Sequence, residues 1–158
     1  MPPLDDTIAA IATAPGVAGL AVLRVSGARA LAVADAVFRG AIRLADAASH
    51  TVHHGWAVRP ADRDVPVSGR IDEVLATVFR APRSYTCEDV VELSCHGGGL
   101  SARRLLAALL AAGARLAHPG EFTLREDPRV KTYAIGDGLI KKLAVAPADQ
   151  PEASRETS

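Results

Sequence analysis

The sequence predicts an α+β domain built around a small mixed sheet. Apolar runs of strand length alternate with two segments of helical spacing, without the regular strand-helix-strand rhythm of a doubly wound parallel fold. A length of 158 residues and an apolar fraction of 49% fit one globular domain with an appendage. We therefore expect a domain over residues 1–125 and a separate tail over residues 126–158.

The first 40 residues predict two strands and a helix. The run "TIAAIATA", which begins at Thr7, is typical of a strand and ends at the Pro15-Gly16 turn. Residues 19–25, "GLAVLRV", predict a second strand. Residues 28–40, "ARALAVADAVFRG", have apolar residues at helical spacing, so we expect a helix that stops at Gly40.

The middle of the chain predicts a hairpin, a short strand and a second helix. Residues 49–58 and 71–79 are strand-like and flank a polar loop, which favours a long hairpin. Residues 90–94 predict a short strand, and residues 100–112 predict a helix that ends before Gly113. The following "ARLAHPGEFT" predicts a short strand and a turn.

The character of the chain changes after residue 125. The three lysines, Lys131, Lys141 and Lys142, all lie beyond this point, whereas the preceding residues use arginine for positive charge. The final "VAPADQPEASRETS" has the proline, alanine, glutamate and serine bias of a disordered segment. We expect residues 126–158 to be partly disordered.

Charge and hydropathy exclude several classes of protein. A net charge of zero argues against a domain that holds nucleic acid by neutralising phosphates alone. No apolar run approaches the roughly 18–20 residues that span a bilayer. The N-terminal "MPPLDDTIAA" has two aspartates where a signal peptide needs basic residues, so the expected location is the cytoplasm, without membrane contact.

The adjacent pair Cys95-His96 raises the question of a nucleophile with its base. Neighbouring residues on a strand point to opposite faces, so these two side chains cannot pair with each other. The same geometry argues against His53-His54 as a metal site, and we expect no metal. Two cysteines are also too few for a disulfide framework. A small cysteine-dependent enzyme, using Cys87 or Cys95, remains an alternative.

Three consecutive glycines, Gly97, Gly98 and Gly99, precede the second predicted helix. Such a run lets backbone N–H groups approach an anion or a planar ligand closely. It is equally typical of a tight turn that needs positive φ. A nucleotide-binding P-loop is excluded here, because no Lys-Ser or Lys-Thr follows at the required spacing.

Glu92 lies inside the apolar run "VVEL", where an ionised carboxylate requires a partner. Arg24 is the only charged residue of "GLAVLRV", and its planar guanidinium can donate two hydrogen bonds to a carboxylate. The two residues therefore predict either an internal salt bridge or a ligand site. A carboxylate suits a ring with two adjacent N–H donors, such as an aminopyrimidine.

Four motifs, "DTIAAIATAPG", "LRVSG", "APRSYTCEDVVELSCHGGG" and "AAGARLAHPGEFTLR", occur in collinear order. Together they closely resemble the N-terminal domain of the tRNA modification GTPases of the MnmE (TrmE) family, from about Asp6 to Arg125. The resemblance implies a fold similar to the folate-binding domain of the glycine-cleavage aminomethyltransferase. It also implies a homodimer that binds 5-formyl- or 5,10-methylene-tetrahydrofolate, the one-carbon source for modifying the wobble uridine of certain tRNAs.

The resemblance also implies partners and contact residues. The expected partners are an MnmG-like flavoprotein or a full-length MnmE, with tRNA contacted only indirectly. The resemblance implies folate contacts at Arg24 and Glu92, and Lys131 falls at the spacing of the family's contacting lysine. The expected cofactor-binding residues also include His96, Gly97 and Gly98 of the glycine turn.

The sequence departs from the family in three places. Cys87 stands where the family usually has glycine, and Val17-Ala18 where it usually has Arg-Gly. A side chain at position 87 is strained if the backbone there has positive φ. The resemblance stops after Arg125, and no P-loop or C-terminal cysteine motif follows, so we do not expect GTP hydrolysis by this chain alone. A truncated, non-functional remnant is the other alternative.

Overall fold

The computed structural model describes residues 6–60 and 69–126, together with the backbone of residues 130–136 and 139–145. In this described part of the chain, the main sheet is accompanied by a short 3-10 helix (Leu44–Asp46) and three α-helices: α1 (Ala30–Val37), α2 (Leu100–Ala111) and α3 (Glu121–Arg125). The strands of that sheet are β1 (Ile8–Ile11), β2 (Leu20–Ser26), β3 (Phe38–Gly40), β4 (Thr51–Val58), β5 (Arg70–Phe79), β6 (Val90–His96) and β7 (Arg115–Leu116). A second, two-stranded antiparallel sheet consists of β8 (Val130–Gly136) and β9 (Leu139–Val145).

The main sheet has the strand order β3-β4-β5-β6-β2-β1-β7. Its neighbouring strands are antiparallel except for β1 and β7, which run parallel. The sheet is therefore mixed, and the α+β class predicted from the sequence is confirmed. The predicted hairpin is confirmed too, because β4 and β5 pair along their length.

The core lies between one face of the sheet and the two longer helices. Alternate residues of β2 and β6, among them Leu23 and Leu93, point to this face and are fully buried. Helix α2 contributes Leu105 and Leu109 at helical spacing, also fully buried. Burial of each such leucine stabilises the fold by roughly 1.5–3 kcal/mol. Because side chains alternate along a strand, the residues between them, including Arg24 and Glu92, point to the opposite face.

Several element boundaries differ from the prediction, and two of these differences follow from strand pairing. The first helix ends at Val37, and residues 38–40 form the edge strand β3, which pairs with residues 55–57 of β4. Phe38 is buried in this strand, and since its position also satisfies helical spacing, the sequence pattern could not separate the two structures. Strand β6 continues two residues beyond the predicted end, to His96, because β2 pairs with it as far as Leu20.

The prediction of a partly disordered tail concerns residues 126–158. The backbone of β8 and β9 lies within this range, and most of the other tail residues lie outside the described part of the chain. Among the described residues, no helix combines the length and the apolar character needed to cross a membrane.

Candidate functional site

Arg24 and Glu92 meet across the two central strands β2 and β6. They are direct cross-strand partners in the register of the sheet. Arg24 Nε donates a hydrogen bond of 2.9 Å to Glu92 Oε1, and Arg24 Nη2 lies 2.8 Å from the same oxygen. The side chains are 22% and 26% exposed, so this is a half-buried ion pair that solvent can still reach. The internal salt bridge predicted as one of two alternatives is confirmed.

Two aromatic rings enclose the guanidinium of Arg24. Its Cζ atom lies 4.6 Å from the centre of the Tyr85 ring and 5.5 Å from that of Phe122. Both distances are within the range in which a cation is attracted to a ring face. Tyr85 comes from the β5–β6 loop and Phe122 from α3, and the hydroxyls of Tyr85 and Thr123 lie 3.1 Å apart, within hydrogen-bond distance. The loop and the helix thus form a clamp around one charged side chain, which we call the Tyr85–Phe122 clamp.

A buried ion network fixes α3. Glu121 is fully buried and lies 2.6 Å from Arg115 and 3.1 Å from Arg125. Arg115 lies 2.5 Å from Asp6, and Arg125 pairs with Asp6 as well. Burial works against the charge of Arg115, but hydrogen bonds to Glu121 and Asp6 outweigh it and raise the pKa of Arg115 above its ordinary value. Removal of one partner from such a network leaves a buried charge uncompensated, so the network sets the position of Phe122 firmly.

The same network reaches the loop that carries Tyr85. Arg125 Nη1 lies 3.3 Å from Glu88 Oε1. Ser26 Oγ donates a hydrogen bond of 2.7 Å to Glu88 Oε2 and lies 2.5 Å from Thr86 Oγ1. Loop, helix and central strand are thereby joined by charged and hydroxyl groups on the face that carries Glu92.

A cavity of about 510 Å³ opens beside Glu92. Its volume falls within the range of small-molecule pockets, roughly 300–1,000 Å³. His50 and Phe79 form part of its wall, with ring centres 5.3 Å apart in an edge-to-face arrangement. The lining residues are His50, Phe79, Arg83, Ser84, Tyr85, Val90 and Glu92. The cavity therefore combines one carboxylate, aromatic surfaces and one guanidinium.

His96 lies at the other end of β6 and has a different partner. Its Nδ1 is 2.8 Å from Asp72 Oδ1, and its backbone N–H donates to Asp72 Oδ2 at 2.8 Å. Asp72 raises the pKa of His96, first through this hydrogen bond and then through its charge. Partial burial of Asp72 acts to raise its pKa, yet hydrogen bonds from His96 lower it overall. His96 is four positions after Glu92 along β6, a distance of roughly 13 Å, so the two side chains do not share the cavity.

The glycine run forms a turn required by packing. A Cβ atom on Gly97 would lie 2.0 Å from the backbone oxygen of Ala18, and Gly99 has a φ of +78° at the start of α2. Gly98 has nothing within 4 Å of a Cβ position and borders a separate cavity of about 380 Å³. The turn interpretation accounts for Gly97 and Gly99. Within the described chain, none of the three glycines lines the Glu92 cavity.

The two cysteines do not form a catalytic arrangement. Cys95 is buried, and burial followed by the charge of Asp72 raises its thiol pKa to about 11, so it is a poor nucleophile. The neighbouring His96 points to the other face, as predicted. Cys87 Sγ contacts the backbone oxygen of Glu126 at 3.7 Å. The structure gives no support to a cysteine-dependent enzyme.

Cys87 does confirm the conditional prediction of strain. Its φ is +59°, in the left-handed region that favours glycine. The seven-stranded sheet with its continuous buried core likewise lends no support to the alternative of a truncated, non-functional remnant.

The structure thus brings together Arg24 and Glu92 among the predicted contact residues, and places His96, Gly97 and Gly98 at the far end of β6. The side chain of Lys131 lies outside the described residues. Sequence reasoning missed Tyr85, Phe122 and Phe79. A signal existed, because the sequence has only six aromatic residues and half of them gather at this site.

Fold and site together define an α+β domain with a cavity that pairs a carboxylate with aromatic walls. The family model described as "GTP-binding protein TrmE N-terminus" matches residues 7–126. The chain belongs to this family, in agreement with the resemblance noted from its motifs.

Named relatives support the assignment. The chain is 54% identical over 123 residues to the tRNA modification GTPase MnmE of Symbiobacterium thermophilum, a match that covers 77% of the chain and 26% of the relative. It is 56% identical over 121 residues to the MnmE of Salinibacter ruber, covering 77% and 25%, and 50% identical over 120 residues to that of Shouchella clausii, covering 76% and 25%. The matched region spans about a quarter of the length of each of these relatives.

Proposed function

We propose that this domain binds a reduced folate, 5-formyl- or 5,10-methylene-tetrahydrofolate, in the cavity beside Glu92, as part of a tRNA modification system. The observation that carries the proposal is the position of Glu92. It is an ion-paired carboxylate on a central strand, 26% exposed, at the wall of a cavity of about 510 Å³. A carboxylate held in this way is suited to accept hydrogen bonds from a ligand with adjacent N–H groups.

The chemistry of the lining fits a folate. The pterin ring has an exocyclic amino group beside a ring N–H, and Glu92 would accept from these donors. Phe79 and Tyr85 supply aromatic surface for the conjugated rings of the ligand. The glutamate tail of folate carries carboxylates, and Arg83, at the cavity wall, offers the matching cation. When bound, the folate would supply the one-carbon unit for the modification, while the residues of this chain bind and orient it.

The wider role follows from the family. The relatives are named tRNA modification GTPases, and this chain matches about a quarter of their length. In the proposed role, the domain presents the one-carbon donor for modification of a wobble uridine in the cytoplasm, together with an MnmG-like flavoprotein. A partner would provide tRNA contacts, because the net charge of this chain is zero.

The proposed unit is a homodimer formed through the open face of the sheet. This face exposes the large apolar side chains Leu20, Val52 and Leu75, by 62%, 60% and 46%. His54 of β4, Glu73 of β5 and the exposed His96 of β6 lie on the same face, so it combines apolar side chains with polar groups that suit an interface with a second copy. Sedimentation of the purified chain tests this, with a monomer at all concentrations as the contradicting result.

Calorimetric titration of the purified chain with 5-formyltetrahydrofolate tests the function. We expect saturable binding in the micromolar range, and a loss of roughly 10–100-fold in affinity for Glu92→Gln, because hydrogen bonds to a charged group are worth about 1.5–3 kcal/mol. The variant keeps the size of the side chain and removes its charge. Asp46→Asn, an exposed carboxylate that does not line the cavity, is the control and should bind like the parent. Equal affinity of Glu92→Gln and the parent would refute the assignment.

A further inference from the structure

A further cavity, of about 700 Å³, lies against helix α2 and the beginning of strand β5. Its volume falls within the range of small-molecule pockets, roughly 300–1,000 Å³. It shares no described lining residue with the cavity beside Glu92. Asp72, on β5, does not line it and pairs with His96 at 2.8 Å. We call this second space the α2 cavity.

The described wall of the α2 cavity contains three arginines, Arg59, Arg70 and Arg104, and no carboxylate. Within the described chain, the side chains of Arg70 and Arg104 form neither an ion pair nor a hydrogen bond. Other arginines, such as Arg24 and Arg115, are paired with carboxylates of this chain. Two guanidinium groups without a carboxylate partner at the wall of a cavity attract an anion.

The indole ring of Trp56 holds the guanidinium of Arg70. Arg70 Cζ lies 4.2 Å from the centre of this ring, within the range in which a cation is attracted to a ring face. The contact uses the flat face of the guanidinium, so the N–H groups around its edge stay available to an acceptor. Trp56 and Arg70 belong to the paired strands β4 and β5, and the sheet therefore sets their positions.

The rest of the wall is largely apolar. Helix α2 contributes Ala107, Ala108 and Ala111, which share one helical face with Arg104. Strand β5 contributes Ile71, which packs against the core. Because alanine side chains are short, they leave space between the helix and the strand. The α2 cavity thus combines cations with a surface that suits an apolar or planar group.

We propose that the α2 cavity binds a nucleotide unit, with its phosphate held by Arg70 and Arg104 and its base or sugar against the apolar wall. A phosphate presents several acceptor oxygens and a negative charge, which guanidinium groups recognise through parallel hydrogen bonds. The same unit occurs as a free nucleotide and within an RNA chain. The proposal goes beyond folate binding and does not depend on it, because the two cavities share no described lining residue.

Titration of the full chain with uridine 5′-monophosphate tests the proposal. The sequence has a single tryptophan, so the fluorescence of Trp56 reports on the neighbourhood of Arg70, and calorimetry of the same samples measures binding independently. We expect saturable binding that Arg104→Gln weakens by roughly 10-fold, within the range of a charge-assisted hydrogen bond. Arg103→Gln is the matched control, because it removes the same charge from the next residue of α2, which does not line this cavity. It should bind within about 2-fold of the parent.

A short RNA, hexauridylate, separates the two sources of the ligand. Binding about 10-fold tighter than that of uridine 5′-monophosphate, with the same loss in Arg104→Gln, would support the proposal with an RNA chain as the ligand, because further phosphates then add contacts. Equal affinities of the two probes would support it with a free nucleotide as the ligand.

Three results would overturn the proposal. Equal losses in Arg103→Gln and Arg104→Gln would show general attraction to positive charge and no site at the α2 cavity. Inorganic phosphate that binds as tightly as uridine 5′-monophosphate would show that the apolar wall takes no part. Absence of both heat and fluorescence change with either probe at millimolar concentration would exclude the site. Circular dichroism of each variant establishes that the fold is kept.

Discussion

Replacement of Cys87 by glycine should stabilise the protein. Cys87 has a φ of +59°, where a side chain with a Cβ atom is strained by roughly 1–2 kcal/mol relative to glycine. Glycine also increases the entropy of the unfolded chain, which offsets about 0.4–1 kcal/mol of this gain. The thiol contact with Glu126 is long, at 3.7 Å, and contributes little. The net gain is therefore on the order of 0.5–1 kcal/mol, or about 1–4 °C in Tm for a chain of this size.

The assay is thermal and urea unfolding followed by circular dichroism under reducing conditions, with Cys87→Ala as the matched control. Alanine removes the sulfur but keeps the Cβ atom, so it should stay within about 0.5 kcal/mol of the parent. Cys87→Gly should be more stable than both the parent and Cys87→Ala. If Cys87→Gly is no more stable than Cys87→Ala, the assignment of backbone strain to this position is wrong.

Two further predictions concern the far end of β6. Gly97→Ala should destabilise the fold by about 2 kcal/mol or more in urea unfolding, because its Cβ atom would lie 2.0 Å from the backbone oxygen of Ala18. Gly98→Ala is the control and should be close to neutral, since a Cβ atom there has nothing within 4 Å. Equal effects of the two substitutions would contradict the packing reason. The pKa of His96 is raised above 6.5 by Asp72, so the pair stabilises the fold below about pH 6.5 and loses this contribution as the pH rises through the raised pKa. The Tm difference between the parent and His96→Gln should accordingly be larger at about pH 6 than at about pH 9, and a difference that grows with pH would refute the pairing.

The fold was largely predictable because the spacing of apolar residues in most strands and in α2 fits only one type of secondary structure. In β2 and β6, a nearly continuous apolar run contains a single charged residue, and α2 repeats leucine and alanine at helical spacing. The edge strand β3 was not predictable, since Phe38 fits both a helical face and a strand, and pairing with β4 decides between them. Long-range pairing of this kind leaves no local signal in the sequence.

The site was predictable only in part. Arg24 and Glu92 could be found because an isolated charge in an apolar strand needs a partner, and the structure provides one in the other. The glycine turn is adjacent in sequence to the strand that carries Glu92, but an extended strand carries it roughly 13 Å away, so sequence proximity was misleading there. Tyr85 and Phe122 reach Arg24 from separate segments, and their convergence depends on the buried network of α3.

The measurement that tests the central claim most directly is a titration of the ¹⁵N-labelled chain with 5-formyltetrahydrofolate, followed by amide chemical shifts. If folate occupies the cavity beside Glu92, the shifts should concentrate at Arg83, Tyr85 and Glu92 and spread to Phe122, with little change at Gly98. Shifts confined to the glycine turn and the start of α2 would contradict the account and move the ligand to the opposite end of β6.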